Sequence, residues 1–213
     1  MKVHLTLAAL IAIGTPMARA GLGGLTKREG VSRASQAQAR TRVVVLGTGT
    51  PNADPDRYGP AVAVVVDDAS YLVDAGVGIV RRAAAAERAG TRALDATQLK
   101  RVFITHLHSD HTLGLADLIL SPWVLEREAP LEIYGPKGVR AMSEHLVAAY
   151  SDDIHVRRTG GEPAHQYDPR TVDVHEIVPG VVFKDDRVTV TAFAVTHGGW
   201  AQAFGYRFQT GRL

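Results

Sequence analysis

The sequence predicts a mixed α/β fold in which layers of sheet are covered by helices. Three observations carry this expectation. Short β-branched runs recur along the chain, two of them face each other across a tight turn, and segments with helical start and stop signals separate the later ones. The 213 residues, 46% hydrophobic and 22% charged, are enough for one domain with a substantial core.

The elements follow in order. Arg42 to Leu46 is a strand, ended by Gly47-Thr48-Gly49-Thr50-Pro51. Ala61 to Val66 and Tyr71 to Val73 form a hairpin about the Asp67-Asp68-Ala69-Ser70 turn, closed by Asp74-Ala75-Gly76. Ile79 to Ala89 reads as a helix stopped by Gly90. Leu99 to Thr105 is an almost wholly apolar strand, hence buried, and it runs directly into His106. Thr112 to Leu120 reads as a helix ended by Ser121-Pro122, Leu131 to Tyr134 as a strand, and Pro136 to Tyr150 as a helix with proline near its start. Ser151 to Arg170 is polar and loop-like. Strands are expected at 171–178, 187–196 and 204–208.

The first forty residues stand apart from this pattern. Lys2 and His4 precede an apolar run from Leu5 to Ile13, Gly14 and Pro16 break it, and Ala18-Arg19-Ala20 supplies a small-x-small cleavage pattern. This is the layout of a secretory signal peptide over residues 1–20, and the run is too short to span a bilayer. Export to a periplasm or the medium is expected. Residues 21–40, rich in Gly, Ala, Ser, Gln and Arg, read as a flexible extension, leaving 41–213 as the folded domain.

Composition excludes several classes. Without cysteine there are no disulfides, and any metal site must use His, Asp or Glu. The formal charge is +2, but the basic surplus lies at the N-terminus; from Val43 onward 17 basic residues face 21 acidic ones, a balance of −4. A domain that grips long nucleic acid normally carries a basic surplus, so nucleic acid is a disfavoured though open partner.

The informative stretch is His106-Leu107-His108-Ser109-Asp110-His111, of the form HxHxDH. In an extended segment alternate side chains share a face, so His106 and His108 can reach one ion. Asp110 and His111, where the chain turns into a helix, can face the other way and serve a second. Imidazole and carboxylate suit Zn²⁺, with Mn²⁺ or Fe²⁺ as alternatives.

With these residues in view the chain resembles the metallo-β-lactamase superfamily, and within it the ribonuclease Z and arylsulfatase-like branch. The resemblance rests on Leu46 to Pro51, Leu72 to Gly76, the HxHxDH loop, Ile133-Tyr134-Gly135-Pro136, and His197 followed by Phe204-Gly205-Tyr206-Arg207. It implies the αββα sandwich of that superfamily. It also implies a first metal held by His106, His108 and His197, a second held by Asp110 and His111, and Asp110 as the catalytic group that holds the attacking water. Asp74 would support the metal loop from outside the ligand set. Two Zn²⁺ ions about 3.5–4 Å apart would share a hydroxide and polarise the substrate oxygen. The activity implied is hydrolysis of a small phosphodiester, with arylsulfatase or lactonase activity on the same site as the alternative. A non-catalytic metal-binding remnant is the rival from another class.

The sequence departs from the family beyond His197. The family continues with an Asp in a Gly-Asp-Thr turn that bridges both metals, then a last His for the second metal, and neither has a counterpart up to Leu213. The expectation is mainly the N-terminal half of the sandwich, incomplete at its C-terminus, with a weak second site, low activity and a tendency to self-associate. His145, His155, His165 and His175 match no helical or strand period and are expected in solvent. Trp123 is expected in the core or a pocket wall, and Trp200, three residues after His197, as a wall of the substrate pocket. Mass spectrometry of protein recovered from the culture or periplasm should give a mature terminus at Gly21. Retention of Met1 in exported protein would contradict the signal reading.

Overall fold

The computed structural model describes residues 41–160 and 167–211. The expected signal peptide, the extension at 21–40 and His165 lie outside them. The elements are strands β1 (Thr41–Gly47), β2 (Ala61–Val66) and β3 (Ala69–Val73), helix α1 (Ile79–Arg88), strand β4 (Arg101–Phe103), helices α2 (Ser109–Thr112) and α3 (Leu115–Val124), and strand β5 (Glu132–Gly135). Helices α4 (Val139–Ala149) and α5 (Ser151–Thr159) follow, then strands β6 (Asp173–Glu176), β7 (Gly180–Lys184), β8 (Val188–Ala194) and β9 (Phe204–Thr210).

Strands β1 to β6 form one sheet in sequence order. β1, β2 and β3 are antiparallel, and β3 to β6 are parallel. β7, β8 and β9 form a separate antiparallel sheet. The two-residue period of the strands separates two cores. Leu72, Val102 and Ile133 point to the helices, where Ile79, Leu115, Leu118 and Trp123 meet them. Their chain neighbours Tyr71, Phe103 and Tyr134 point the other way, against Val188, Val190 and Phe204 of the second sheet. The result is a helix layer, a large sheet and a small sheet, in which the large sheet is apolar on both faces. The Tyr71 hydroxyl pins the two sheets at one end by donating to Asp185 Oδ2 at 2.6 Å.

One edge of this arrangement is open among the described residues. Val44 of β1 packs on the helix side, so Val43 and Val45 face the other way, and they are 44% and 56% exposed. The small sheet ends at β9, whose Thr210 touches Thr41 side chain to side chain.

Four sequence expectations need correction. Residues 151–170 are not all loop, because 151–159 form α5. Asp152 and Asp153 favour its N-terminus and Arg157 and Arg158 its C-terminus, Arg157 pairs with Asp153 one turn back, and Ile154 is buried. Strand β7, missed in the sequence, is a half-exposed edge strand without clean alternation. The paired part of β4 is only three residues long, since β3 turns away at Asp74. Helix α3 runs through Pro122 instead of stopping before it.

The reason for the last is Arg127. Proline cannot donate to the Leu118 carbonyl one turn earlier. Arg127, 2% exposed, reaches back and does so, its Nη1 donating to Leu118 O at 3.0 Å and to Leu99 O at 3.1 Å, and its Nη2 to Ile119 O at 3.1 Å. Its Nε donates to Ala129 O at 3.0 Å, and Tyr167 Oη also accepts from Nε and from Nη2. Replacing Arg127 by Leu therefore leaves several buried carbonyls unpaired and should cost about 3 kcal/mol in urea unfolding. Adding Pro122→Ala should recover part of that loss, since residue 122 then donates to Leu118 O. Simple additivity of the two changes would contradict this account.

Candidate metal centre

The site lies at the carboxyl ends of β3 and β4, where their loops leave the sheet. Its foundation is Asp74, buried and held at φ 61°, a left-handed conformation that Asp tolerates better than most residues. The carboxylate points along the loop after β4. Its Oδ1 accepts from the Thr105 backbone N–H at 2.8 Å and lies 2.9 Å from the Thr105 hydroxyl. Its Oδ2 lies 3.0 Å from the same hydroxyl and 2.7 Å from His111 Nδ1.

Backbone contacts fix the rest of the loop against this turn. Ala75 N donates to His111 O and Gly114 N to Ala75 O, each at 2.8 Å. A Cβ on Gly114 would stand 2.3 Å from Gly76 O, so only glycine lets α2 and α3 approach so closely. The short helix α2 presents Asp110 and His111.

His197 arrives from the small sheet, on the loop between β8 and β9. Phe204 N donates to Thr105 O at 2.8 Å and Tyr206 Oη to Ile104 O at 2.7 Å, which dock the root of β9 onto the start of the metal loop. Burial, then the charge of Asp74, holds the Tyr206 hydroxyl well above its ordinary pKa, so it stays a donor. Gly198 takes a positive φ of 53° at the turn after His197.

These elements bring the candidate ligands together. His106 Nε2 lies 2.9 Å from His108 Nδ1, and His197 Nε2 lies 3.1 Å from the same atom. One ring nitrogen from each of the three histidines falls within 4.8 Å of the others. Nitrogens around a tetrahedral zinc at 2.0–2.1 Å would stand about 3.3 Å apart, so the spacing and the donor set both fit such an ion. His111 sits beside them, its ring centroid 4.2 Å from that of His106, and its Nε2 is 3.6 Å from Asp110 Oδ2. Asp110 and His111 thus form an adjacent pair outside the three-histidine group.

Burial, followed by the neighbouring His111, His197 and His108, drives the His106 pKa down to about 3, so this imidazole is neutral with a lone pair to give. At His111 burial opposes the proton, but the hydrogen bond and charge of Asp74 and the charge of Asp110 outweigh it and raise the pKa.

Trp200 stands over the site, edge-on to His108 at 5.2 Å between ring centroids and to His106 at 6.3 Å, with 38% of its surface exposed. Trp123 is fully buried in the helix-side core, and His145, His155 and His175 are exposed. Thr105 escaped the sequence reading. The signal for it was weak: a hydroxyl one residue before His106 at the end of an apolar strand.

Known proteins are similar to this chain. The Beta-lactamase superfamily domain profile matches residues 70–213, more than half of the chain. The chain belongs to the metallo-β-lactamase superfamily. Within it the similarity runs to the ribonuclease Z branch. A Ribonuclease Z of Mycobacterium marinum is 35% identical over 173 residues, covering 78% of this chain and 58% of that protein. A Ribonuclease Z of Mycobacterium sp. strain KMS is 37% identical over 172 residues, covering 78% and 56%. The chain thus spans somewhat over half the length of these superfamily relatives. Among solved structures, the short form of human tRNase Z matches with a TM-score of 0.59 at 26% identity, over 79% of this chain and 64% of that one. A metallo-β-lactamase fold protein of Bacillus subtilis gives 0.57 at 16% identity, over 81% and 58%, a likeness of fold alone.

Outer carboxylates of this kind typically change metal affinity 10–100-fold. Asp74→Ala should therefore weaken zinc binding by about that factor in chelator competition, with the fold retained by circular dichroism. Because His111 holds a proton more readily than a free histidine, an ion at the Asp110–His111 pair competes with that proton. Calorimetric titration from pH 8 to 6 should show any second, weaker binding event fading as pH falls, whereas a pH-independent second event would contradict the assignment.

Proposed function

We propose that this chain carries the metal-binding part of a divalent-metal-dependent hydrolase that cleaves phosphodiesters. The observation that carries the reading is the convergence of His106 Nε2, His108 Nδ1 and His197 Nε2 on one small space beside the Asp110–His111 pair. Zinc is the ion that best suits three imidazoles, with Mn²⁺ or Fe²⁺ as alternatives. When bound, such an ion supplies a polarising positive charge and makes water nucleophilic near neutral pH.

The chain's own side chains take the remaining roles in this reading. His106, His108 and His197 hold the first ion, and Asp110 and His111 offer two ligands for a second, weaker one. The Asp110 carboxylate lies where it can orient a water and accept its proton. Asp74 fixes the direction of His111. Trp200 lines the approach, its exposed part available to pack against the substrate.

Names of the relatives bear on the substrate. The mycobacterial proteins are called Ribonuclease Z, which favours an RNA phosphodiester. The −4 balance from Val43 onward favours a small one. A short RNA phosphodiester satisfies both. Export, supported by the pattern of residues 1–20, belongs to the same proposal.

The test compares zinc-loaded protein on bis-p-nitrophenyl phosphate, p-nitrophenyl sulfate, an acyl lactone and a short RNA. Hydrolysis of the phosphodiesters is expected, slow but removed by a chelator and by His106→Ala or His108→Ala. Turnover of sulfate or lactone alone would move the assignment to those chemistries. Tight zinc binding with no turnover of any substrate would leave a metal-binding remnant. Trp200→Ala should raise KM for aryl phosphodiesters more than for alkyl ones. Equal effects on both would remove Trp200 from the pocket wall.

A further inference from the structure

Thr105 occupies a position that neither the ligand set nor the sequence motif explains. Its hydroxyl lies between the Asp74 carboxylate, at 2.9 and 3.0 Å from the two oxygens, and His106 Nδ1, at 2.9 Å. Its backbone N–H is bound to the same carboxylate, so the hydroxyl has little freedom to leave. His106 is buried, and its other nitrogen faces His108.

Hydrogen counting fixes the direction of this chain of contacts. An ionised carboxylate only accepts, and a threonine hydroxyl has one proton to donate. That proton goes to Asp74, so the contact with His106 requires the imidazole to donate from Nδ1 to the Thr105 oxygen. The Nδ1 proton then leaves Nε2 as the lone-pair nitrogen, which in the metal-free chain accepts from His108 Nδ1 at 2.9 Å, and Nε2 is the atom aimed at the three-histidine space. Asp74 Oδ2 does the same for His111 directly, by accepting from its Nδ1 at 2.7 Å, so that in the neutral ring Nε2 is the bare nitrogen beside Asp110.

We propose that Thr105 is a positioning residue that carries the influence of Asp74 to His106, so that one carboxylate selects the ligating tautomer of a histidine in each half of the metal centre. This deepens the reading of the site as a metal centre and rests on it only for the affinity measurement. The tautomer assignment stands on the metal-free chain.

Two measurements separate the outcomes. Nitrogen-15 NMR of histidine-labelled, zinc-free protein reads the tautomer of His106. The wild type should show it protonated at Nδ1 and bare at Nε2, Thr105→Val should mix the two forms, and Thr105→Ser should restore the first. Chelator competition should show Thr105→Val binding zinc about 10–100-fold more weakly, with recovery in Thr105→Ser. An Nε2-protonated His106 in the wild type, or a valine variant with unchanged tautomer and zinc affinity, would overturn the proposal. If the wild type binds no zinc while its tautomer responds to Thr105 as described, the relay stands and the metal-centre reading falls.

Discussion

A buried carboxylate organises this protein's candidate site. Asp74 sits where β3 ends, in a backbone conformation that throws its side chain across the neighbouring strand end, and it accepts hydrogen bonds from Thr105 and His111. Those two residues bracket the HxHxDH loop. Holding both ends of a six-residue segment to one point leaves the loop few shapes, and the close backbone contacts through Gly76 and Gly114 remove most of the rest. The order therefore runs from a turn residue, to a loop, to a set of nitrogens with a shared focus.

The second constraint is the docking of the small sheet. His197 is 86 residues from the nearest member of the HxHxDH loop, and it reaches the site because β8 and β9 pack Val188, Val190 and Phe204 on the far side of Tyr71, Phe103 and Tyr134. Hydrogen bonds from Phe204 N and Tyr206 Oη to the two residues preceding His106 convert this packing into register. Stability and site geometry are coupled in this way: loosening the aromatic layer between the sheets would move His197 relative to His106 and His108. The exposed Val43 and Val45 mark where the inter-sheet layer thins out among the described residues.

Much of this was legible in the sequence. HxHxDH at a strand end, the hairpin with its Asp-Ala-Gly closure, and the layered α/β pattern all follow from local chemistry and periodicity, and the structure brings His106, His108, Asp110, His111 and His197 to one place. The parts that were not legible have a common cause. Helix α3 continues through Pro122 because of Arg127, five residues on and buried by tertiary packing. Strand β7 depends on pairing with β8, not on its own pattern. Helix α5 is stabilised by end charges on a segment whose polarity reads as loop. Thr105 matters only because Asp74, thirty-one residues earlier, is folded against it. Each is a long-range or compensating interaction that a short window of sequence does not contain.

On the proposed function, three histidine nitrogens, drawn together by Asp74 and the small sheet, hold one cation. Zinc K-edge X-ray absorption on protein loaded with one equivalent of zinc tests this most directly. About three imidazole nitrogens at roughly 2.0–2.1 Å are expected, with the multiple scattering that imidazole rings give, and loss of one in His197→Ala. A shell of oxygens alone, or a spectrum unchanged by His197→Ala, would contradict it.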